Sequence, residues 1–350
     1  MHFESPELDP TQILDDLRAD KLSLLLVAGT TAFDVGQALD DGPLAYEALR
    51  QHLQLPERSA NVLLTGLRSM GLLDVDSHQQ IDLTELGREK LSPKSKFNLR
   101  GYIGLGAFGA DAQNMIACLK HDAPAGDISF VFHEEGGPSA LDDPETSDAL
   151  TRAMAARARN VAPFVAQELD LSTATHLLDI GGGHGLYTLA LLEKHPQLSA
   201  TIVDRQPPLA VAQEYAQAAG LSERVEFVYG DIHTFTASRA FDTVLLANIL
   251  HDYNASDAER LVQHYARQLS NNGRAIILDA FLNSVPPGSP PVSTGPRPVA
   301  AYSAMLFSIC EGRCFRLDEY QSMMRSAGLL AEAHIAQVPA HGSLLIGTKA

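Results

Sequence analysis

The 350-residue sequence predicts an α/β fold: a mostly parallel sheet in its second half, joined to a mainly α-helical N-terminal domain. Three observations carry this expectation. From His176 onward, short aliphatic or β-branched runs (HLLDI, SATIVD, RVEFVYGD, FDTVLLAN, GRAIILDAF) alternate with helical stretches, the pattern of successive βαβ units. The first of these runs ends in a glycine-rich turn, DIGGGHG, that opens a helix. Before residue 95 the apolar positions instead recur at helical spacing, as in Leu14, Leu17, Leu22, Leu25 and Leu26.

The N-terminal part reads as packing helices followed by a winged helix. A short helix, a turn at Leu55 and Pro56, a second helix through Leu63, Leu64 and Leu67, and extended pieces near residues 73–75 and 80–83 follow in that order. A winged helix suggests DNA binding, but residues 1–95 carry a net charge of −8 and the candidate recognition helix around residues 60–70 offers only Arg68. Base readers need basic support to neutralise phosphate. A packing and dimerisation module is therefore expected, with no nucleic-acid partner. Residues 100–170 follow as a helical connector, clearest over 148–169, which contributes to a substrate pocket.

In the second half, helices are expected over 186–195, 209–219 and 258–269. Residues 284–298 hold six prolines and predict an exposed, mobile loop without regular pairing. A helix over 299–309, another over 319–327 and a closing hairpin (AEAHIAQVP, HGSLLIGTK) complete the chain. The expected domains are thus 1–99, 100–170 and 171–350.

Composition narrows the class further. Hydrophobic residues make up 45% of the chain with no Trp, as in an ordinary globular protein, and the apolar stretch at residues 22–28 is too short to cross a bilayer. The first ten residues lack a basic cluster before an apolar run, so a cytoplasmic location and no membrane partner are expected. Lys and Arg number 26 against 43 Asp and Glu, a net charge of −17 that would repel a polyanion. Cys118, Cys310 and Cys314 form no CxxC pair, which argues against a disulfide framework and a structural zinc site.

The chemistry concentrates at the strand ends. Gly181, Gly182, Gly183 and Gly185 after Asp179 let the backbone turn sharply and approach a ligand, with a helix N-terminus behind them. A dinucleotide G-x-G-x-x-G frame begun at Gly181 meets Leu186 at its third glycine, so D-x-G-x-G-x-G is the better description. Asp204 ends the second strand nineteen residues after Gly185, where an acid receives two ribose hydroxyls. Asp231 ends the third, where a carboxylate accepts from an adenine amino group while Ile232 packs on the ring. His251, just beyond the fourth strand in ILHDY, can take a proton near neutral pH.

With DIGGGHG, IVD, YGDI, ANILHDY and EGRCFRLDEY in this order, the chain resembles the S-adenosylmethionine-dependent small-molecule O-methyltransferases, the family of caffeate, flavonoid and many bacterial natural-product methyltransferases. The resemblance runs nearly the whole length. It implies a Rossmann-like class I methyltransferase domain, with a seven-stranded sheet and a terminal antiparallel hairpin, behind a winged-helix domain that forms an interlocked homodimer. It also implies S-adenosyl-L-methionine as cofactor, S-adenosyl-L-homocysteine as product, and no metal. Asp179, Gly181, Gly183, Asp204, Asp231 and Ile232 would hold the cofactor. Met154, Tyr302, Met305 and Ile309 would line an apolar acceptor cavity.

His251 matches the family's catalytic base. Of the two glutamates that often flank it, the first position is Asp279 here and the second is Cys314, while Ala247 stands where some plant members carry a cofactor-contacting Lys. Metal-free methyl transfer to a phenolic hydroxyl of an aromatic or polyketide-like acceptor is the expected reaction, with His251 and Asp279 as its catalytic pair. Methylation of nitrogen or carbon stays open, as does a homologue that binds cofactor without transferring methyl.

Overall fold

A computed structural model describes residues 2–125 and 143–350; residues 126–142 of the expected connector lie outside the described residues. The chain forms two compact units. One unit comprises residues 2–14, 143–281 and 319–350, and the other residues 15–125 and 282–318.

In the second of these units the winged-helix order is present. Helices Tyr46–His52 and Glu57–Ser69 lead into an antiparallel pair of strands, β1 (Leu73–Val75) and β2 (Ile81–Leu83), with Leu73 opposite Leu83. Glu57–Ser69 buries every residue from Ser59 to Leu67, so the helix that would read a groove is instead a core helix. The Thr84 hydroxyl accepts from the Gly87 N–H and caps the helix Glu85–Leu91. A Cβ on Gly87 would lie 2.1 Å from the Leu72 carbonyl oxygen, so that helix docks through the missing side chain.

Two expectations change here. The proline-rich segment is not exposed throughout: Pro290, Val292, Ser293 and Gly295 are buried. Proline lacks an N–H but keeps its carbonyl, and three groups of the Glu57–Ser69 helix use this backbone. Asn61 Nδ2 donates to the Pro291 carbonyl at 2.5 Å, Arg68 Nη1 donates to the Val292 carbonyl at 2.6 Å, and Thr65 Oγ1 accepts from the Ser293 N–H at 3.2 Å. The segment is a strap pinned to the winged helix. With it comes the helix Arg297–Phe307, which packs on Glu57–Ser69 and Asp20–Thr31, so residues 282–318 cluster with the N-terminal helices and not with the 171–350 span. The expected helix over 148–169 is two helices, Pro144–Arg159 and Ala162–Glu168, broken ahead of Pro163.

The other unit is the sheet. Its strands are β3 (His176–Ile180), β4 (Ser199–Asp204), β5 (Val225–Tyr229), β6 (Phe241–Ala247), β7 (Leu269–Ala280), β8 (Leu329–Ala331), β9 (Ala336–Val338) and β10 (Gly342–Lys349). Seven lie in the order β5-β4-β3-β6-β7-β10-β8, with β9 paired to β10. Pairs among β3 to β7 are parallel and those of β10 antiparallel, so the mixed sheet and its closing hairpin are as expected. The strand cores (Leu177, Leu178, Ile202, Val203, Val244, Leu245, Ile276, Ile277) are buried on both faces, as parallel strands under two helical layers must be. The chain leaves β3 toward β4 on one side and returns through β6 on the other. That reversal opens a crevice beyond the carboxyl ends of β3 and β6. Among the described residues, no helix is long and apolar enough to cross a membrane.

Candidate active site

The glycine turn forms one wall of the crevice. Gly181, Gly183 and Gly185 take φ of 63°, 55° and 72°, left-handed values that side chains disfavour, and the helix Leu186–Lys194 starts directly behind them. Asp179 lies beneath the turn and is almost fully buried, with Oδ2 accepting from the Thr188 hydroxyl at 2.6 Å. A Cβ on Gly182 would come within 2.6 Å of that same Oδ2, which explains a glycine there. Burial, with the nearby Asp204 charge adding to it, pushes the Asp179 carboxyl up to about 7.

Asp204 ends β4 in register with the turn: Gly183 N–H donates to its Oδ2 at 2.7 Å and Arg205 N–H to its Oδ1 at 2.6 Å. Its carboxyl is raised by burial, against the pull of these two N–H groups. Asp231 follows β5 and is exposed, with Oδ1 accepting from the His233 N–H at 2.8 Å. The Ile232 side chain is buried, and its carbonyl accepts from the Tyr265 hydroxyl at 2.5 Å. These acids therefore stand at the carboxyl edge of neighbouring strands.

Across the crevice, β6 leads through Asn248, at a left-handed φ of 53°, into a short 3-10 turn, Leu250–Asp252. His251 is buried on this turn. Its Nδ1 lies 2.5 Å from Asp279 Oδ1 at the end of β7, and its Nε2 lies 3.6 Å from Asp252 Oδ1. Burial works to lower the imidazole, yet the charges of Asp279 and Asp252 and the hydrogen bond to Asp279 together hold it above its ordinary 6.5. Asp252 is itself lifted by burial to about 6, against the attraction of His251. A carboxylate accepts only, so Nδ1 carries the hydrogen toward Asp279 and Nε2 keeps a lone pair.

The comparisons fit this geometry. Residues 127–330 match the O-methyltransferase domain family, more than half of the chain. The chain belongs to the O-methyltransferase family. Within it, the chain is similar to a crystal structure of an O-methyltransferase family 2 protein from Planctomyces limnophilus in complex with apigenin, at 33% identity and a TM-score of 0.88, over 99% of this chain and 98% of that one. It is 27% identical to 3-hydroxy-5-methyl-1-naphthoate 3-O-methyltransferase of Streptomyces sahachiroi, over 85% of this chain and 84% of the relative. It is equally 27% identical to L-tyrosine C(3)-methyltransferase of Streptomyces lavendulae, over 80% of this chain and 76% of that one.

The acceptor-side residues that the family resemblance points to divide between the two units. Met154 is exposed on the Pro144–Arg159 helix of the sheet unit. Tyr302 and Met305 lie three apart on the Arg297–Phe307 helix of the other unit, and Ile309 follows its end. The Tyr302 ring has the Arg18 guanidinium 4.0 Å over its centroid. Cys314 belongs to that unit too, its N–H donating to the Ser303 hydroxyl at 3.2 Å.

Sequence reasoning missed three groups in the sheet unit. Asp252 faces His251, although adjacency in sequence gives no guide to side-chain direction. Arg157 Nη1 donates to Asn248 Oδ1 at 3.2 Å, and its charge, with that of Arg159, joins burial in pushing His184 down to about 4. Tyr320 Oη donates to Asp279 Oδ2 at 2.7 Å. A polar position in the EGRCFRLDEY motif is the only trace of it in the sequence.

Proposed function

We propose that this O-methyltransferase moves the methyl group of S-adenosylmethionine onto a hydroxyl of a small aromatic or polyketide-like acceptor, with His251 as general base. The observation that carries it is the buried His251–Asp279 pair beside a glycine- and acid-lined crevice. The cofactor fits the residues present. A Cβ on Gly183 would meet nothing closer than 3.9 Å, leaving space next to Asp204, and Asp179 Oδ1 is buried without a hydrogen-bond partner. Asp204 would accept from ribose hydroxyls, Asp231 from the base, Ile232 would pack on its ring, and Arg157 would face the carboxylate of the amino-acid end. When bound, the cofactor supplies a methyl group already activated by the sulfonium charge.

What the chain must add is a deprotonated, aligned oxygen. His251 Nε2 takes the phenolic proton, Asp279 steadies the imidazolium that results, and the buried surroundings exclude competing water. An Asp204→Ala variant should bind S-adenosylhomocysteine about tenfold or more weakly by calorimetry, since charge-assisted hydrogen bonds are worth about 1.5–3 kcal/mol each. Unchanged affinity would remove Asp204 from the cofactor site. Formation of S-adenosylhomocysteine with a panel of phenols, amines and activated carbons tests the acceptor. The relative named as a C(3)-methyltransferase of tyrosine favours carbon as the second reading.

We further propose a homodimer through the N-terminal unit. Helix Arg100–Gly104 and the following 3-10 turn bury none of their residues, and Phe97, Leu99, Tyr102, Leu105 and Phe108 are all exposed. Sedimentation should give a dimer that Phe108→Glu splits; a wild-type monomer would refute this. The three cysteines are free and buried, which fits a reducing cytoplasmic compartment. The winged helix is not read as a nucleic-acid module, because Arg68 is engaged by Val292 and by Asp74, 2.9 Å away.

A further inference from the structure

We propose that the Tyr320 hydroxyl is a positioning group for the base: by donating to Asp279 it fixes the carboxylate that fixes the His251 ring. This rests on the reading of His251 as base.

The geometry is a buried chain of three side chains. Tyr320 is fully buried on the helix Leu317–Ser326, 41 residues along the sequence from Asp279, and its ring packs at 4.9 Å and 46° against Phe281. Its hydroxyl donates to Asp279 Oδ2 at 2.7 Å. Asp279 Oδ1 accepts from His251 Nδ1 at 2.5 Å and from the Ala280 N–H at 2.7 Å. Donors thus reach both oxygens. Without the phenol, Oδ2 would lose this donor, which is costly for a buried charge and leaves the carboxylate freer to turn about its last torsion. A phenylalanine would fill the same space, so packing alone does not call for the hydroxyl. Fixing the carboxylate plane fixes the imidazole tautomer, with Nδ1–H toward Asp279 and Nε2 as the accepting nitrogen.

Three further groups face this chain: Asp252 from the turn of His251 itself, Arg157 from Pro144–Arg159, and Tyr187 from Leu186–Lys194. Removing the phenolic donor leaves the Asp279 charge less dispersed and its hold on the imidazolium proton stronger. In the full-length enzyme, Tyr320→Phe should therefore move the ascending limb of kcat/KM to higher pH by about half a unit to one unit. Asp279→Asn moves it the other way. The Nδ1–H proton resonance of His251 should shift in Tyr320→Phe, with S-adenosylhomocysteine affinity retained. Incorporation of 3,5-difluorotyrosine at position 320, a stronger donor of equal shape, should move the limb to lower pH and serves where the phenylalanine variant does not fold. A limb and a resonance both identical to wild type would overturn the proposal. The resonance is read without turnover and tests the Tyr320 contact itself. Wild-type turnover in His251→Asn would instead remove the base reading beneath it.

Discussion

Replacing His251 by asparagine should lower kcat on a phenolic acceptor by about 100- to 10,000-fold, the range for loss of a positioned general base, while S-adenosylhomocysteine binds as in the wild type. The two readouts separate because His251 stands after β6, whereas the glycine turn and Asp204 stand after β3 and β4. Asparagine is the better first test than alanine. It keeps a polar group near Asp279, and the carboxylate retains donors from Tyr320 and the Ala280 N–H, so no buried charge is stranded. The loss should shrink for acceptors whose hydroxyl is already acidic, because those ionise without help. Turnover measured across phenols of graded acidity would show this as a steeper dependence in the variant. Equal turnover in both enzymes on a weakly acidic phenol would leave His251 a structural imidazole.

The sheet and the strand-end acids were legible because their signal is local. Each of Asp179, Asp204 and Asp231 sits at the end of a run whose apolar pattern already marks a strand of the parallel sheet, and Gly181 and Gly183 show a turn that side chains disfavour. Groups brought together across the chain left no such mark. Tyr320 reaches Asp279 over 41 residues, and Arg157 reaches Asn248 over 91. No periodicity links such positions. The proline strap misled for a different reason: prolines report the loss of N–H donors, but the carbonyls of Pro291 and Val292 hold the segment against Asn61 and Arg68. Its burial also explains why residues 282–318 leave the sheet unit, since the strap and the helix after it complete the core of the N-terminal helices.

The second large effect is expected from Asp279→Asn, and its sign differs between rate and pH. In the proposed mechanism Asp279 holds the ring through Nδ1–H and would stabilise the imidazolium formed when a phenol gives up its proton. An asparagine keeps the shape, but turning its NH2 toward Nδ1 would place the hydrogen on Nε2, where it blocks proton acceptance. In a Ser-His-Asp hydrolase the comparable change costs about 10,000-fold through the wrong tautomer. A plateau kcat lower by about 100-fold or more is the expectation here, since methyl transfer asks for one proton removal. The ascending limb of kcat/KM should at the same time move to lower pH. With Asp279 ionised, its charge helps hold the imidazole above 6.5 despite burial, so with His251 as base the wild-type activity should rise above that value as the ring loses its proton. With the charge gone, burial and Arg157 act against protonation, and the ring is neutral at lower pH. A slower enzyme whose limb has moved acidward is the signature of a lost carboxylate partner. A slower enzyme whose limb stays in place would mean that Asp279 supports the fold around His251 without tuning its proton.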